Sequence, residues 1–296
     1  MTTSGMRKLA DVYQTKISRR IAEVKQYIWR EHVPVTDVGL HETMQHHPAS
    51  EAPALAYKSV APGRRWGRQW STGWFRLRFA IPEAFAGQAV SLLFDTTAEG
   101  LLFRDGKPVQ GLDRNRNDFP LTRRARAGEA FELYAELGVN DAMGGFEQRV
   151  YNQPQLAVFH RPVWKAWHEL DTLFAVAEAL PAADTRRGRL MFGLSKAVDA
   201  FDYGDRSRAG LRTSARRVQR LTRPLLDCPA HASAQTIACM GHAHIDVAWL
   251  WPLAETRRKC ARTFSSVLAY MEEYDDYIFC QSQPQLYAYT KEAYPS

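Results

Sequence analysis

The chain has 296 residues, 45% of them hydrophobic and 24% charged, with a formal net charge of +7. These proportions are those of a globular protein with a sizeable core, and the length suits two domains, or one and part of another. They exclude a disordered or collagen-like chain, and no apolar run nears the ~20 residues that a bilayer-spanning helix needs. The positive charge raises a nucleic-acid partner, but the arginines are scattered over residues 64–68, 114–126, 186–189 and 206–223 without a recognised motif. Solvated faces are therefore expected, with no nucleic-acid or membrane partner. Cys228, Cys239, Cys260 and Cys280 form no CxxC pair and make no disulfide framework. Cys239 and Cys280 are expected in the core. Residues 1–6 lack the apolar stretch of a signal peptide, so a cytoplasmic location is expected.

In chain order, apolar residues at 9, 12, 13, 17, 21, 24, 27 and 28 fall at helical spacing, which predicts a helix over 9–29 ended by Pro34. Residues 31–53, with His41, His46 and His47, read as a polar linker, closing a first segment at 1–53. A β-sandwich domain is expected over 54–162. Alternation from Phe75 to Phe79 gives a half-buried strand, followed by strands at 89–94, 101–103, 130–137 and 156–160. The Arg104-Asp105-Gly106-Lys107 run supplies a hairpin turn. Trp66, Trp70 and Trp74 offer either core packing or a sugar-stacking platform, with packing the stronger reading. Residues 140–145 read as a flexible loop.

A helical linker is expected over 163–232, with helices at 163–179, 187–201 and 207–222, the first broken by Pro181 and the last stopped by Pro224. From 233 to 296 the pattern changes. An apolar strand at 236–240 leads into Gly-His-Ala-His-Ile-Asp-Val-Ala-Trp-Leu-Trp-Pro at 241–252. A helix over 253–274, a strand over 277–281 and a helix over 284–294 follow. This is the start of a parallel β/α fold, which needs further strands to bury both sheet faces. The end of the chain is thus expected to be loosely held or docked on the sandwich. The helix over 253–274 carries an apolar stripe at Cys260, Phe264, Val267, Leu268 and Met271.

Side chains alternate along a strand, so His242, His244 and Asp246 point one way if the chain stays extended. Imidazole and carboxylate together suit zinc or another divalent transition metal, and ligands of α/β folds lie beyond the carboxyl ends of strands. Trp249 offers an aromatic face to a substrate.

Residues 241–252 resemble the opening motif of the glycoside hydrolase family 38 α-mannosidases. Residues 255–266 (Glu-Thr-Arg-Arg-Lys-Cys-Ala-Arg-Thr-Phe-Ser-Ser) and 279–287 (Phe-Cys-Gln-Ser-Gln-Pro-Gln-Leu-Tyr) resemble the cytosolic and vacuolar branch of that family. The resemblance covers roughly 235–296, and the stretch over 70–109 is similar to the jelly-roll modules that precede glycosidase catalytic domains. It implies a multidomain α and β protein: a helix, a jelly-roll-like sandwich, a helical block and the start of a β/α barrel. It implies a zinc-dependent retaining exo-α-mannosidase acting on terminal α-mannose of oligosaccharides, with cobalt or another divalent ion as a substitute metal. His244 and Asp246 match the first two metal ligands, Trp249 the residue against the mannose ring, and His242 a neighbour that orients the metal-holding groups. A retaining glycosidase needs two carboxyl groups about 5 Å apart. The family's nucleophile and acid/base have no counterpart before Ser296. Glu255, Glu272, Glu273, Asp275 and Asp276 are the remaining candidates, and the last four read as a solvated helix end. The chain is thus expected to hold half a zinc site and to be inactive alone. Two rivals remain, a metal-dependent amidohydrolase, which also opens with His-x-His, and a non-catalytic carbohydrate-binding or interaction module. A homo-oligomer stays open.

Overall fold

The computed structural model describes residues 3–140, 147–229 and 233–295. The chain divides into two compact units, a helical one from Met1–Glu31 and Val158–Gln235 and a β-rich one from His32–Ala157 and Thr236–Ser296.

The helical unit holds α1 (Thr3–Lys25), α2 (Arg161–Ala179), α3 (Thr185–Asp199) and α4 (Arg208–Leu226). Ile17, Ile21, Val24 and Ile28 bury one stripe of α1 and the turn after it against Val163, Ala166, Leu170, Leu173 and Ala177 of α2. Val12 and Tyr13, expected on that stripe, are exposed. Pro162 opens α2, where its missing N–H costs nothing. The Asp184 side chain caps α3 through the Arg186 amide, and the Ser207 hydroxyl caps α4 through that of Gly210. Pro224 does not stop α4 at 222. The helix runs on to Leu226, because the carbonyl that Pro224 leaves unbonded belongs to exposed Arg220, where water can satisfy it.

The linker expected over 31–53 is instead two strands, β1 (Trp29–Pro34) and β2 (Asp37–Thr43), with a 3₁₀ segment at Ala49–Ala54. The cue was weak because the apolar pairs at strand spacing there, Val33/Val35 and Val38/Leu40, are short, and Pro34 interrupts the first. The other strands are β3 (Lys58–Ser59), β4 (Arg65–Trp66), β5 (Thr72–Ala80), β6 (Val90–Leu93), β7 (Glu99–Arg104), β8 (Lys107–Leu112), β9 (Asp118–Thr122), β10 (Ala130–Gly138), β11 (Arg149–Val150) and β12 (Gln155–Phe159). A six-stranded sheet runs β3-β2-β5-β10-β7-β8, a four-stranded one β1-β12-β6-β9, and β11 pairs with β4. This is the expected antiparallel sandwich. Asp105 and Gly106 take φ of 53° and 74° at the β7–β8 hairpin, the left-handed pair that a two-residue hairpin turn requires.

Strand β5 is not half-buried at its start. Trp74 and Phe75 face opposite sides, and both are 1% exposed or less. Phe75 meets Phe94 and Tyr151, whereas Trp74 packs with Leu101, Phe103 and Ala261. Ala261 lies on α5 (Leu253–Glu273). The second face of the six-stranded sheet is therefore covered by that helix together with the 3₁₀ segment around Ala52, and the motif region docks on the sandwich, one of the two outcomes expected. Gly111 on β8 makes the approach close. A Cβ there would lie 2.6 Å from the Arg262 carbonyl oxygen of α5, and the Gly111 N–H donates to Ser266 Oγ at 3.0 Å.

The strands expected at 236–240 and 277–281 are reduced to one parallel bridge between Gly241 and Phe279. The Gly241 N–H donates to the Ile278 carbonyl at 2.7 Å and the Cys280 N–H to that of Gly241 at 2.9 Å. Ile237 and Met240 are exposed, and so are Cys239 and Cys280, contrary to the core positions expected; Cys260 is the buried cysteine. A parallel pair without flanking strands has no second surface to bury its side chains. On α5, Leu268 and Met271 are exposed, so the buried stripe stops at Val267. α6 (Pro284–Ala293) follows, and its Leu286 joins Ile245, Cys260 and Phe264 in a small core. Among the described residues no helix is long and apolar enough to cross a membrane.

Candidate functional site

The 241–252 segment is pinned at alternate points. Ile245 is 5% exposed and packs on Cys260, Phe264 and Leu286, so its neighbours His244 and Asp246 point away from that core. Thr256 Oγ1 donates to the Asp246 carbonyl at 3.0 Å and accepts from Trp251 Nε1 at 3.0 Å. The Gln281 amide nitrogen donates to the Ala243 carbonyl. The first turn of α5 and the loop before α6 thus hold the motif from both sides.

His244 Nε2 lies 3.1 Å from Asp246 Oδ1, with the imidazole 75% exposed. His242 turns instead to Ser282, its Nε2 3.4 Å from Oγ. The three side chains do not form a single cluster: among the described residues no group of three or more His, Cys, Asp or Glu side chains is placed to hold a metal. His242 and His244 line a cleft of about 490 Å³ with Trp251, Lys259, Arg262 and Glu99. The Lys259 ammonium sits 4.8 Å from the centre of the Trp251 ring. Trp249 is 60% exposed; it meets Trp251 edge-on at 5.7 Å and does not line the cleft.

Beneath the motif lies an ionic network that reading the sequence missed. Glu255, considered above as a spare carboxylate, is 2% exposed. Its Oε1 accepts from Arg262 Nη1 at 2.5 Å and its Oε2 from Arg258 Nη1 at 3.0 Å, so it serves structure and does not face the cleft. Arg258 Nε also lies 2.9 Å from Glu136 Oε1 on β10, near enough to pair as ions but too bent for a hydrogen bond. Lys259 and Arg262 reach Glu99 on β7 at 2.5 and 3.4 Å. Burial pushes the Glu99 carboxyl up, but Lys259 and then Arg262 outweigh it and hold it below the usual range. Burial alone would lower Arg262, yet Glu255, Glu136 and Glu99 raise it. The signal was present in the spacing of 255, 258, 259 and 262 along one helix face, and in Glu136 on a strand between apolar neighbours. Glu272, Glu273, Asp275 and Asp276 are all exposed, the solvated helix end expected.

The sugar platform is overturned. Trp66 and Trp74 are each 1% exposed and belong to the sandwich core; Trp70 is partly buried at a φ of 67°. In the histidine-rich stretch, His41 Nδ1 lies 3.0 Å from the Ala56 carbonyl and His47 Nδ1 2.8 Å from Glu51. The loop expected at 140–145 falls, from 141 on, outside the described residues.

Residues 28–180, over half the chain, match the family described as the α-mannosidase jelly roll domain. The chain belongs to the glycoside hydrolase family 38 α-mannosidases. Residues 234–296 match the family 38 N-terminal domain, so the motif that carried the resemblance falls within the second match. Among curated proteins the chain is similar to Alpha-mannosidase 2C1 of Homo sapiens, 32% identical over 88% of this chain and 26% of the relative. It is 26% identical to Alpha-mannosidase G of Dictyostelium discoideum over 83% of this chain and 24% of that one. It is 28% identical to Alpha-mannosidase of Saccharomyces cerevisiae over 81% and 24%. The chain thus spans about a quarter of the length of these relatives. A solved β-glucuronidase from Ruminococcus gnavus aligns over 44% of this chain and 29% of its own at 10% identity and a TM-score of 0.31, too slight a likeness to bear on function.

Proposed function

We propose that residues 236–296 supply the opening part of the active site of a cytoplasmic, metal-dependent, retaining exo-α-mannosidase. The observation that carries this is the His244–Asp246 pair, raised beside the cleft by the burial of Ile245 between them. Two ligands of a tetrahedral zinc at about 2.0–2.2 Å sit about 3.4 Å apart, and 3.1 Å between Nε2 and Oδ1 is close to that. The donor set of one imidazole and one carboxylate fits zinc, and cobalt as a substitute. When bound, such an ion acts as a Lewis acid and a template for sugar hydroxyls.

The chain's own residues have separate tasks. Thr256 fixes the Asp246 backbone, and Trp251 fixes Thr256. Trp249 presents an open aromatic face to the mannose ring. His242, turned toward Ser282, lines the cleft beside the pair. Among the described carboxyl groups at the cleft, Glu99 is engaged by Lys259 and Arg262 and Asp113 Oδ1 by the Asn115 and Arg116 amides, while Glu255 beneath is held by Arg258 and Arg262, so each already has a structural task in place of the nucleophile and acid/base that a retaining mechanism needs. The 296 residues therefore bind a divalent ion weakly and do not hydrolyse α-mannosides by themselves.

The test pairs calorimetric zinc titration of the 296-residue chain and its His244→Ala variant with assays on an aryl α-mannoside and an aryl amide. We expect micromolar or weaker zinc binding, lost in the variant, and no turnover of either substrate. Turnover of the mannoside by the 296-residue chain would show that its catalytic carboxylates are already present. Zinc binding indifferent to His244→Ala would remove the metal site from this motif. In a longer chain containing these residues, His244→Ala must abolish mannoside hydrolysis; amide turnover there would favour the amidohydrolase alternative.

A further inference from the structure

The net positive charge of the chain lies in the helical unit. That unit holds twenty Lys and Arg against eleven Asp and Glu, a net of +9, whereas the β-rich unit holds nineteen against twenty-one, a net of −2. The densest part is α4 with its lead-in: residues 206–226 contain seven arginines, no lysine and no acidic residue. At 3.6 residues per turn, Arg212, Arg216, Arg220 and Arg223 fall within about a quarter of the helix circumference. The buried side chains Leu211, Ala215 and Val218 take the opposite face. Arg223 pairs with Asp227. Among the described residues no ion pair holds Arg212, Arg216 or Arg220, and all three are exposed. Like charges four residues apart destabilise a helix, so this arrangement works against the fold that displays it.

We propose that the outer face of α4 docks an extended, acidic polypeptide segment of a partner protein. Guanidinium forks match carboxylates two bonds at a time, which an ammonium cannot do, and every cation here is an arginine. Successive arginines at i and i+4 rise about 6 Å along the axis. Alternate side chains of an extended peptide are about 6.6 Å apart, so carboxylates at every second residue meet successive guanidiniums. Between them lies a hollow of about 510 Å³ lined by Thr213, Arg216, Gln219 and Arg220. The Thr213 hydroxyl, and the Gln219 side-chain carbonyl whose amide nitrogen is turned to Glu169, are groups that hydrogen-bond a peptide backbone. Single-stranded nucleic acid would call for aromatic faces on which bases stack, and none lines this hollow. A bilayer would call for an apolar helix face, and that of α4 is spent on the helical core.

The test uses the full chain and a fluorescein-labelled ten-residue peptide of alternating Glu and Ser, followed by fluorescence anisotropy at 20 and 300 mM salt. The comparison probes are a ten-nucleotide poly(U) RNA and vesicles of phosphatidylcholine with 30% phosphatidylserine. The variant R212Q/R216Q/R220Q removes three charges of the stripe. The variant R19Q/R186Q/R189Q removes three exposed charges elsewhere in the same unit, and circular dichroism confirms that both fold. The expected result is peptide binding weakened at least tenfold by the first variant and less than threefold by the second, with poly(U) and vesicles bound more weakly. Absence of peptide binding at low salt overturns the proposal. So does equal loss in both variants, which would leave net charge alone. Tighter, stripe-dependent binding of poly(U) or of vesicles overturns it in favour of a nucleic-acid or lipid surface.

Discussion

Replacing Glu255 with Gln keeps the shape of the side chain and deletes the charge that holds two guanidiniums beneath the motif. Arg262, 6% exposed, would then keep Glu99 at 3.4 Å and the nearby charge of Glu136, and Arg258 would keep Glu136. Breaking a buried pair by removing one partner costs about 3–5 kcal/mol because a charge is left uncompensated. The surviving carboxylates place Glu255→Gln at the lower end, about 3 kcal/mol. The β-rich unit has roughly 190 residues, a size at which 1 kcal/mol moves Tm by about 2–4 °C, so the transition of that unit should fall by about 6–12 °C. The control is Arg257→Gln, which breaks the pair with Glu292 at 2.7 Å, whose side chains are 39% and 66% exposed. A surface pair of this kind contributes about 1 kcal/mol or less. Differential scanning calorimetry of both variants decides the matter. If Glu255→Gln melts within about 2 °C of the control, the buried charges do not hold α5 to the sheet, and apolar packing alone does.

Gly111→Ala pushes a methyl to within 2.6 Å of the Arg262 carbonyl, so α5 must lift from β8 at a cost of about 1–3 kcal/mol. Gly188→Ala in α3 meets nothing within 4 Å and should instead stabilise by about 0.5–1 kcal/mol; urea midpoints of the two should move in opposite directions. Burial holds the His160 imidazole below its ordinary range. The unfolded chain therefore takes up a proton that the fold refuses as pH drops below about 6.5. Stability is lost on that acid side, and His160→Gln should shrink the difference between urea midpoints at pH 7.5 and 5.5. Burial also pushes the Cys260 thiol up to about 11, while Cys228, Cys239 and Cys280 are exposed. A thiol-specific chromogenic reagent should therefore titrate three cysteines in the native chain and a fourth only after denaturation.

The helices were legible in the sequence because their cores repeat at 3.6 residues, as Ile17, Ile21 and Val24 do. The longer strands β5 and β10 were legible from alternation, and the β7–β8 turn from Asp105-Gly106. The first two strands escaped because β1 is mostly polar and β2 has one apolar pair. The alternation from Phe75 holds in β5, but the burial of Trp74 just before it was not legible, because part of its covering, Ala261, lies more than 180 residues downstream, and no local pattern encodes a distant lid. The site was half legible. Motif spacing put His244 and Asp246 together, as the structure does, but it also grouped His242, which a hydroxyl forty residues away draws aside. The ionic network was invisible for a similar reason. Glu136 and Glu99 look like ordinary strand residues until α5 lies over them.

That lid has a consequence for the order of events during synthesis. The position of the Asp246 backbone depends on Thr256, on the first turn of α5, and through Glu255, Arg258 and Arg262 on carboxylates at residues 99 and 136. Every strand of the sandwich has left the ribosome before α5 is translated. The nascent chain can thus complete a charged, glycine-notched platform first, and α5 arrives at a template already waiting for it. A lesion in β7, β8 or β10 would then act late, as a failure to seat a segment made more than a hundred residues afterwards.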